Sequence, residues 1–213
     1  MSEGIRPRLP WAPLLRTFIA DPTPTIALLD LLHADESEYV RRSVANHLND
    51  VAKDHPALAV ATARRWLDVG GEPSRWVARH GLRTLVKRGD PDALALLGYG
   101  PADGVTVPGF TADPTSVSIG DPVTMSCTLV AEQDTPVVID YAIHHVGAAG
   151  IRAAKVFKWT TRALSARQPV TLSRRHHFRE VSVRRLYPGP HRIDVQVNGA
   201  VLASVEVHLT RPG

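Results

Sequence analysis

The sequence predicts a two-domain protein: all-α HEAT-like helical repeats followed by an all-β immunoglobulin-like sandwich. Three observations carry this expectation. The first hundred residues space their apolar side chains at three and four, the helical period. After Gly100 the period falls to two, in short runs broken by turn signals. Within the first half, YVRRSVANHL and WVARHGLRTL align at an offset of 37 residues, close to the ~40-residue period of helix-pair repeats. Tyr39 then falls on Trp76, Val40 on Val77, Arg42 on Arg79, Asn46 on Arg83 and Leu48 on Leu85. The expected limits are 1–100 for the helical repeats, 101–107 (PADGVTV) for a linker and 108–213 for the sandwich.

Bulk properties suit this organisation. The 213 residues are 44% hydrophobic and 22% charged, which is ordinary for a soluble globular chain and unlike a disordered one. No apolar run approaches the ~20 residues of a membrane helix. MSEGIRPRLPWAP has no apolar signal-peptide core, so a cytoplasmic protein is expected. Cys127 is the lone cysteine, which excludes an intrachain disulfide and a cysteine-based metal site. The net charge is +4. It leans on arginine, whose planar fork of donors suits phosphate.

The elements follow in order. PTPTIALLDLLHAD reads as a helix, with Thr23 as its cap and Pro24 in its first turn. Tyr39 to Ala52 is the next, with Val40, Val44, Leu48 and Val51 as its apolar stripe. HPALAVATARRWLDVGG begins at Pro56 and stops at Gly70-Gly71. EPSRWVARHGLRTLVKRG reads as one helix, capped by Ser74 and stopped at Gly89. DPDALALLG is a last short one. Beyond the linker, turn signals alternate with VTMSCTLVA, VVIDYAIHHV, KVFKWTT, VTLSRRHHF, HRIDVQVNG and LASVEVHL. Asn198-Gly199 marks a two-residue hairpin. About seven short strands fit an immunoglobulin-like sandwich without its disulfide.

The helix YVRRSVANHLNDVAKDHP sets two guanidiniums, two amides and a carboxylate beside its apolar stripe. In stacked repeats, equivalent positions form rows, here Arg42 with Arg79 and Asn46 with Arg83. A basic row of that kind suits a DNA backbone. Arg41 and Lys87 join it as candidate contacts. A solvated helix face with local ion pairs, such as Glu38 with Arg42, is the plainer alternative. Trp76 is open between stacking on a nucleotide and packing, Trp66 reads as core, and Trp11 as a cap on the first helix's packing. From residue 101 on the chain has 12 basic against 9 acidic residues. Its clusters Arg174-Arg175 and Arg184-Arg185 are candidate DNA contacts. The pairs His144-His145 and His176-His177 lie on strands, where neighbours point to opposite faces. No metal site and no cofactor are expected.

EGIRPRLPW, YVRRSVANHLNDVAKDHP and RWVARHGLRTLVKRGDPDALALLG, followed by a sandwich, resemble the AlkC-type members of the AlkC/AlkD superfamily of HEAT-repeat DNA glycosylases. The resemblance covers nearly the whole chain. It implies a solenoid that wraps DNA, and excision of cationic N3-alkylated bases, 3-methyladenine and 3-methylcytosine. The N-glycosidic bond would be hydrolysed without base flipping. Matching the family's motifs, Asp50 and Glu3 are the implied catalytic carboxylates. A carboxylate there would stabilise the oxocarbenium-like sugar and orient water. Members of the family place further helices before EGIRPRLPW. The resemblance therefore implies a chain without the first half of the solenoid, and a partner list of alkylated duplex DNA and a separate chain supplying those helices. The alternatives are a DNA-binding remnant without turnover and a protein-interaction scaffold.

Overall fold

The computed structural model describes residues 2–147, 150–180 and 185–211. The expected Arg184 contact and the Met1 start lie outside them. The chain divides into a helical unit up to Gly98 and a β unit from Tyr99.

The helical unit contains α1 (Arg16–Ala20), α2 (Thr23–Leu32), α3 (Glu38–Asp54), α4 (Pro56–Val69), α5 (Glu72–Gly81), α6 (Arg83–Arg88) and α7 (Pro91–Leu96). Pro56 opens α4, where its missing N–H is no loss. Gly70 ends α4 at φ 83°. Asp90 caps α7 by accepting from the Ala93 N–H at 2.9 Å. Val44, Leu48, Val51, Ala59, Ala63, Trp66, Val77, Leu82 and Leu85 form one buried core. Helices α3 and α5 meet at Gly81, where a Cβ would fall 2.8 Å from Leu48 Cδ2.

Three expectations change here. The segment read as one helix is broken at Leu82 into α5 and α6. Its apolar period continues across the break, so the pattern alone does not reveal it. Ser74 is not a cap, because α5 starts at Glu72 with Pro73 in its first turn. Ser74 is buried instead, and its hydroxyl lies 3.0 Å from His33 Nδ1. Thr23 is the first residue of α2 and not its cap: its N–H donates to Asp21 Oδ1 at 3.0 Å.

The β unit contains β1 (Val105–Asp113), β2 (Ser116–Ser118), β3 (Pro122–Ala131), β4 (Thr135–His144), β5 (Val146–Gly147), β6 (Gly150–Ile151), β7 (Lys155–Leu164), β8 (Val170–His177), β9 (Gly189–Val197) and β10 (Ala200–Thr210). Strands β5 and β6 form a small ribbon, and the two large sheets have the orders β1-β3-β8 and β2-β10-β9-β4-β7. Strand β3 shows why the large sheets face each other: Val123, Met125, Cys127, Leu129 and Ala131 are buried while Thr124 is exposed. Ile139, Tyr141, Trp159, Ile193, Val195, Val207 and Leu209 fill the same core. Burial pushes the Cys127 thiol up to about 11. At the β9–β10 turn, Asn198 (φ 45°) and Gly199 (φ 82°) take the two left-handed positions of the hairpin. Asn198 Oδ1 also accepts from the Val138 N–H at 2.7 Å. Strand β1 starts at Val105, inside the stretch read as linker.

Candidate functional site

Helix α3 repeats Ser43, His47, Asp50 and Asp54 at steps of four, three and four. This spacing puts four polar side chains on one face. In the helical unit that face holds the N-terminal segment. Ser2 and Ser43 hydroxyls meet at 2.6 Å, and Ser43 donates to Glu3 Oε2 at 2.6 Å. His47 Nδ1 lies 3.2 Å from the Ser2 carbonyl, and Nε2 lies 3.1 Å from the Thr25 hydroxyl. Arg8 grips Asp54 through Nε and Nη2 at 2.9–3.1 Å.

The centre of this strap is Arg6. Its Nε and Nη2 donate to Asp50 Oδ2 at 3.0 and 2.9 Å. Its Nη1 donates to Glu3 Oε1 at 2.6 Å. One guanidinium thus bridges two carboxylates. Lys53 Nζ completes Asp50 through Oδ1 at 2.9 Å. Burial works to raise the Glu3 carboxyl, but hydrogen bonds from Ser43 and Arg6 outweigh it and hold it below its ordinary value. For Arg6, burial favours the neutral form, and the bonds to Glu3 and Asp50 overcome that.

The two expected carboxylates are therefore together, with different exposures. The Asp50 side chain is 3% exposed. That differs from the DNA-facing position expected of it, because Arg6 and Lys53 close over it. The Glu3 side chain is 38% exposed. Sequence reasoning passed over Arg6, Ser43, His47 and Lys53. The four-three-four polar spacing along α3 and the Glu-x-x-Arg of EGIR were the available signals.

The expected DNA contacts divide. Arg79 and Lys87 are exposed. Arg42 is exposed and pairs with Glu38. Arg41 donates to the Asp35 and Glu36 carbonyls, both at 2.7 Å, which ties it to the loop before α3. Asn46 and Arg83, equivalent in the repeat alignment, bond to each other at 3.0 Å. Trp76 is half-buried and stacks on His80 with ring centroids 5.0 Å apart. It borders an open cleft of about 400 Å³ that also presents Arg41 together with two acids, Glu38 and Glu72. Trp66 is core, donating to Asp30 Oδ1 at 2.7 Å. Trp11 is no cap: it is fully exposed and stands free of the helical core.

In the β unit, Arg174 and Arg175 are both exposed on β8. Arg174 interacts with the Tyr141 hydroxyl, whose ionisation burial makes harder. His176 Nδ1 lies 3.0 Å from that hydroxyl. His144 Nε2 lies 2.6 Å from Asp194 Oδ2. No group of three potential metal ligands occurs among the described residues, and no helix of theirs is long and apolar enough to cross a membrane.

Burial lowers the imidazoles of His33, His47, His80 and His191. Arg83 and Arg42 lower His80 further. Unfolded, these groups take up protons at about pH 6.5, whereas the folded chain resists doing so. Their contribution is thus complete above about pH 6.5 and declines as pH falls below it. The urea midpoint should hold from about pH 8 to 7 and drop between about pH 6.5 and 5.5. A flat midpoint across that window would refute this account.

Comparisons with known proteins bear on this arrangement. Residues 106–211 match a family model described as "Uncharacterised protein YhaZ, C-terminal Ig-like domain". The chain is 40% identical over 206 residues to YhaZ of Bacillus subtilis (strain 168), an uncharacterised protein, covering 96% of this chain and 57% of that one. It superposes on the Pseudomonas fluorescens alkylpurine DNA glycosylase AlkC, solved bound to DNA containing an abasic site analog. The TM-score is 0.93 and the identity 41%, over 98% of this chain and 58% of that one. The chain belongs to the AlkC-type family. Its fold is that of the AlkC match, an all-α unit followed by an immunoglobulin-like sandwich. The chain spans under three-fifths of the length of either of these two proteins.

Proposed function

We propose that this chain acts in DNA alkylation repair, as part of a glycosylase that releases cationic N3-alkylated bases from duplex DNA. The observation that carries the reading is the bridge Glu3–Arg6–Asp50, with Glu3 open to solvent and Asp50 closed. Likeness to a DNA-bound glycosylase at 41% identity supports it.

The chemistry fits a preset carboxylate. An N3-alkylated base is positively charged and already a good leaving group. The remaining barrier is the cationic sugar that forms as the glycosidic bond breaks, and a fixed anion lowers it. Glu3 is held ionised at neutral pH and faces outward, so it takes the catalytic role: it stabilises the sugar cation and orients the attacking water. Asp50 acts as a positioning residue. It fixes the Arg6 guanidinium, which in turn fixes Glu3. Arg42, Arg79 and Lys87 supply phosphate contacts in the helical unit, and Arg174 and Arg175 in the sandwich. The base need not rotate into a pocket, because the group that acts on it lies on the surface.

Base release from a duplex carrying one 3-methyladenine or 3-methylcytosine tests this. Glu3→Gln should lower the rate roughly 100-fold or more, with little change in DNA affinity, as expected for loss of one group that stabilises transition-state charge. Release by wild type that Glu3→Gln leaves intact would remove Glu3 from the chemistry. Binding to DNA without release by the wild type would instead point to a DNA-binding module. An absence of salt-dependent DNA binding would point to a protein scaffold.

A further inference from the structure

Trp11 is 105% exposed. The other three tryptophans are sheltered: Trp66 and Trp159 are buried, and Trp76 lies half-buried on His80. Trp11 also has φ 66°, a left-handed conformation that a bulky side chain adopts only under constraint. The constraint is visible. The loop from Pro7 to Leu15 is tied at its base by the Leu15 N–H donating to the Pro7 carbonyl at 3.1 Å. Inside it, the Ala12 N–H donates to the Leu9 carbonyl at 3.3 Å. Pro7, Pro10 and Pro13 stiffen the loop further. Pro10, Ala12, Pro13 and Leu14 are exposed around the tryptophan, so no pocket surrounds it.

The loop springs from the candidate site. Pro7 follows Arg6, and Arg8 is clamped to Asp54, so the root of the loop is locked to α3. Trp11 is five positions after Arg6, which limits their Cα atoms to about 18 Å apart. A rigid loop thus holds one flat aromatic ring out in water, within reach of the carboxylates. It is a knob with no groove beside it, and its complement is a narrow slot with apolar walls.

We propose that Trp11 is a wedge for damaged DNA: its indole stacks into the gap that a missing base leaves in a duplex. Such a gap is roughly 7 Å high, two base steps, and is walled by aromatic faces. Side chains that enter base steps in this way hold the duplex open, and base–aromatic stacking tolerates any sequence. The proposal rests on the repair reading above and names how that site finds its place on DNA.

Acrylamide quenching of tryptophan fluorescence in the whole chain tests it, with duplexes containing a tetrahydrofuran abasic analogue or no lesion. Wild type should prefer the abasic duplex, and the accessible emission should become protected on binding it. Trp11→Ala should lower affinity for the abasic duplex about tenfold or more and leave affinity for the intact duplex unchanged. Trp11→Phe should keep most of the preference. Trp11 buries nothing, so both variants should fold as wild type does. A preference undiminished in Trp11→Ala overturns the wedge and spares the repair reading. Emission already shielded before DNA is added also overturns it, since a protein surface then covers the ring. A wild type that binds both duplexes equally also overturns the wedge, whereas one that binds neither duplex overturns the repair reading itself.

Discussion

Asp50→Ala should lower the unfolding free energy by about 3 kcal/mol, the low end of the range for breaking a buried ion pair. The low end is expected because Arg6 keeps Glu3 as a second partner and Lys53 can turn to solvent. Asp50 accepts three charge-assisted hydrogen bonds at 2.9–3.0 Å with almost no water access. Removing it leaves a guanidinium that is 8% exposed short of one of its two anions. Glu3→Gln should lower stability by less than ~1 kcal/mol, since Glu3 is partly solvated and glutamine can still accept from Ser43. Urea midpoints of the two variants against wild type measure the contrast. Equal losses in both would show that the cluster does not divide into a structural acid and an open one. The double variant Arg6→Met, Asp50→Leu should recover part of the Asp50→Ala loss, because it removes both buried charges at once.

This contrast could not be read from the sequence. Arg6 and Asp50 are 44 positions apart, and nothing in α3's apolar period says which partner its polar stripe will find. What the period does fix is that Ser43, His47, Asp50 and Asp54 share a face. Other elements were legible because their signals are local. Pro56 and Gly70 bracket α4, and Asn198-Gly199 sits in the β9–β10 hairpin. The six β-rich runs each fall on strand, with alternation clear in Arg192 to Val197 and in Ala203 to Leu209. Strand β1 escaped notice because its register shifts between Thr106 and Gly109, across Pro108, and that irregularity destroys the alternation. Trp11 was misread for a different reason. Composition says that tryptophan is usually covered, and only the backbone shows a loop that holds it out.

The position of Gly81 carries the other large effect. Gly81→Val should cost about 3 kcal/mol, near the upper range for overpacking a core. A Cβ at Gly81 would lie 2.8 Å from Leu48 Cδ2 and 3.2 Å from both Leu48 Cβ and Cγ. Leu48 is fully buried, so its methyl can yield only by pushing into the core between α3 and α5. The Cβ contact at 3.2 Å has no such freedom, since it is fixed by the backbone of α3. Gly81→Ala meets the same contacts with less volume, and it gains about 1 kcal/mol of helix propensity. Its net loss should therefore be small, about 1 kcal/mol, and the order of stability Gly, Ala, Val. Helix α3 carries Asp50 and His47 on the face that holds the N-terminal strap, so displacing α3 should also loosen the strap. Trypsin cleavage after Arg8 should become faster in Gly81→Val under conditions where the chain remains folded, Arg6 being protected by the proline that follows it. An alanine variant less stable than the valine one would show that close approach is not why glycine stands here.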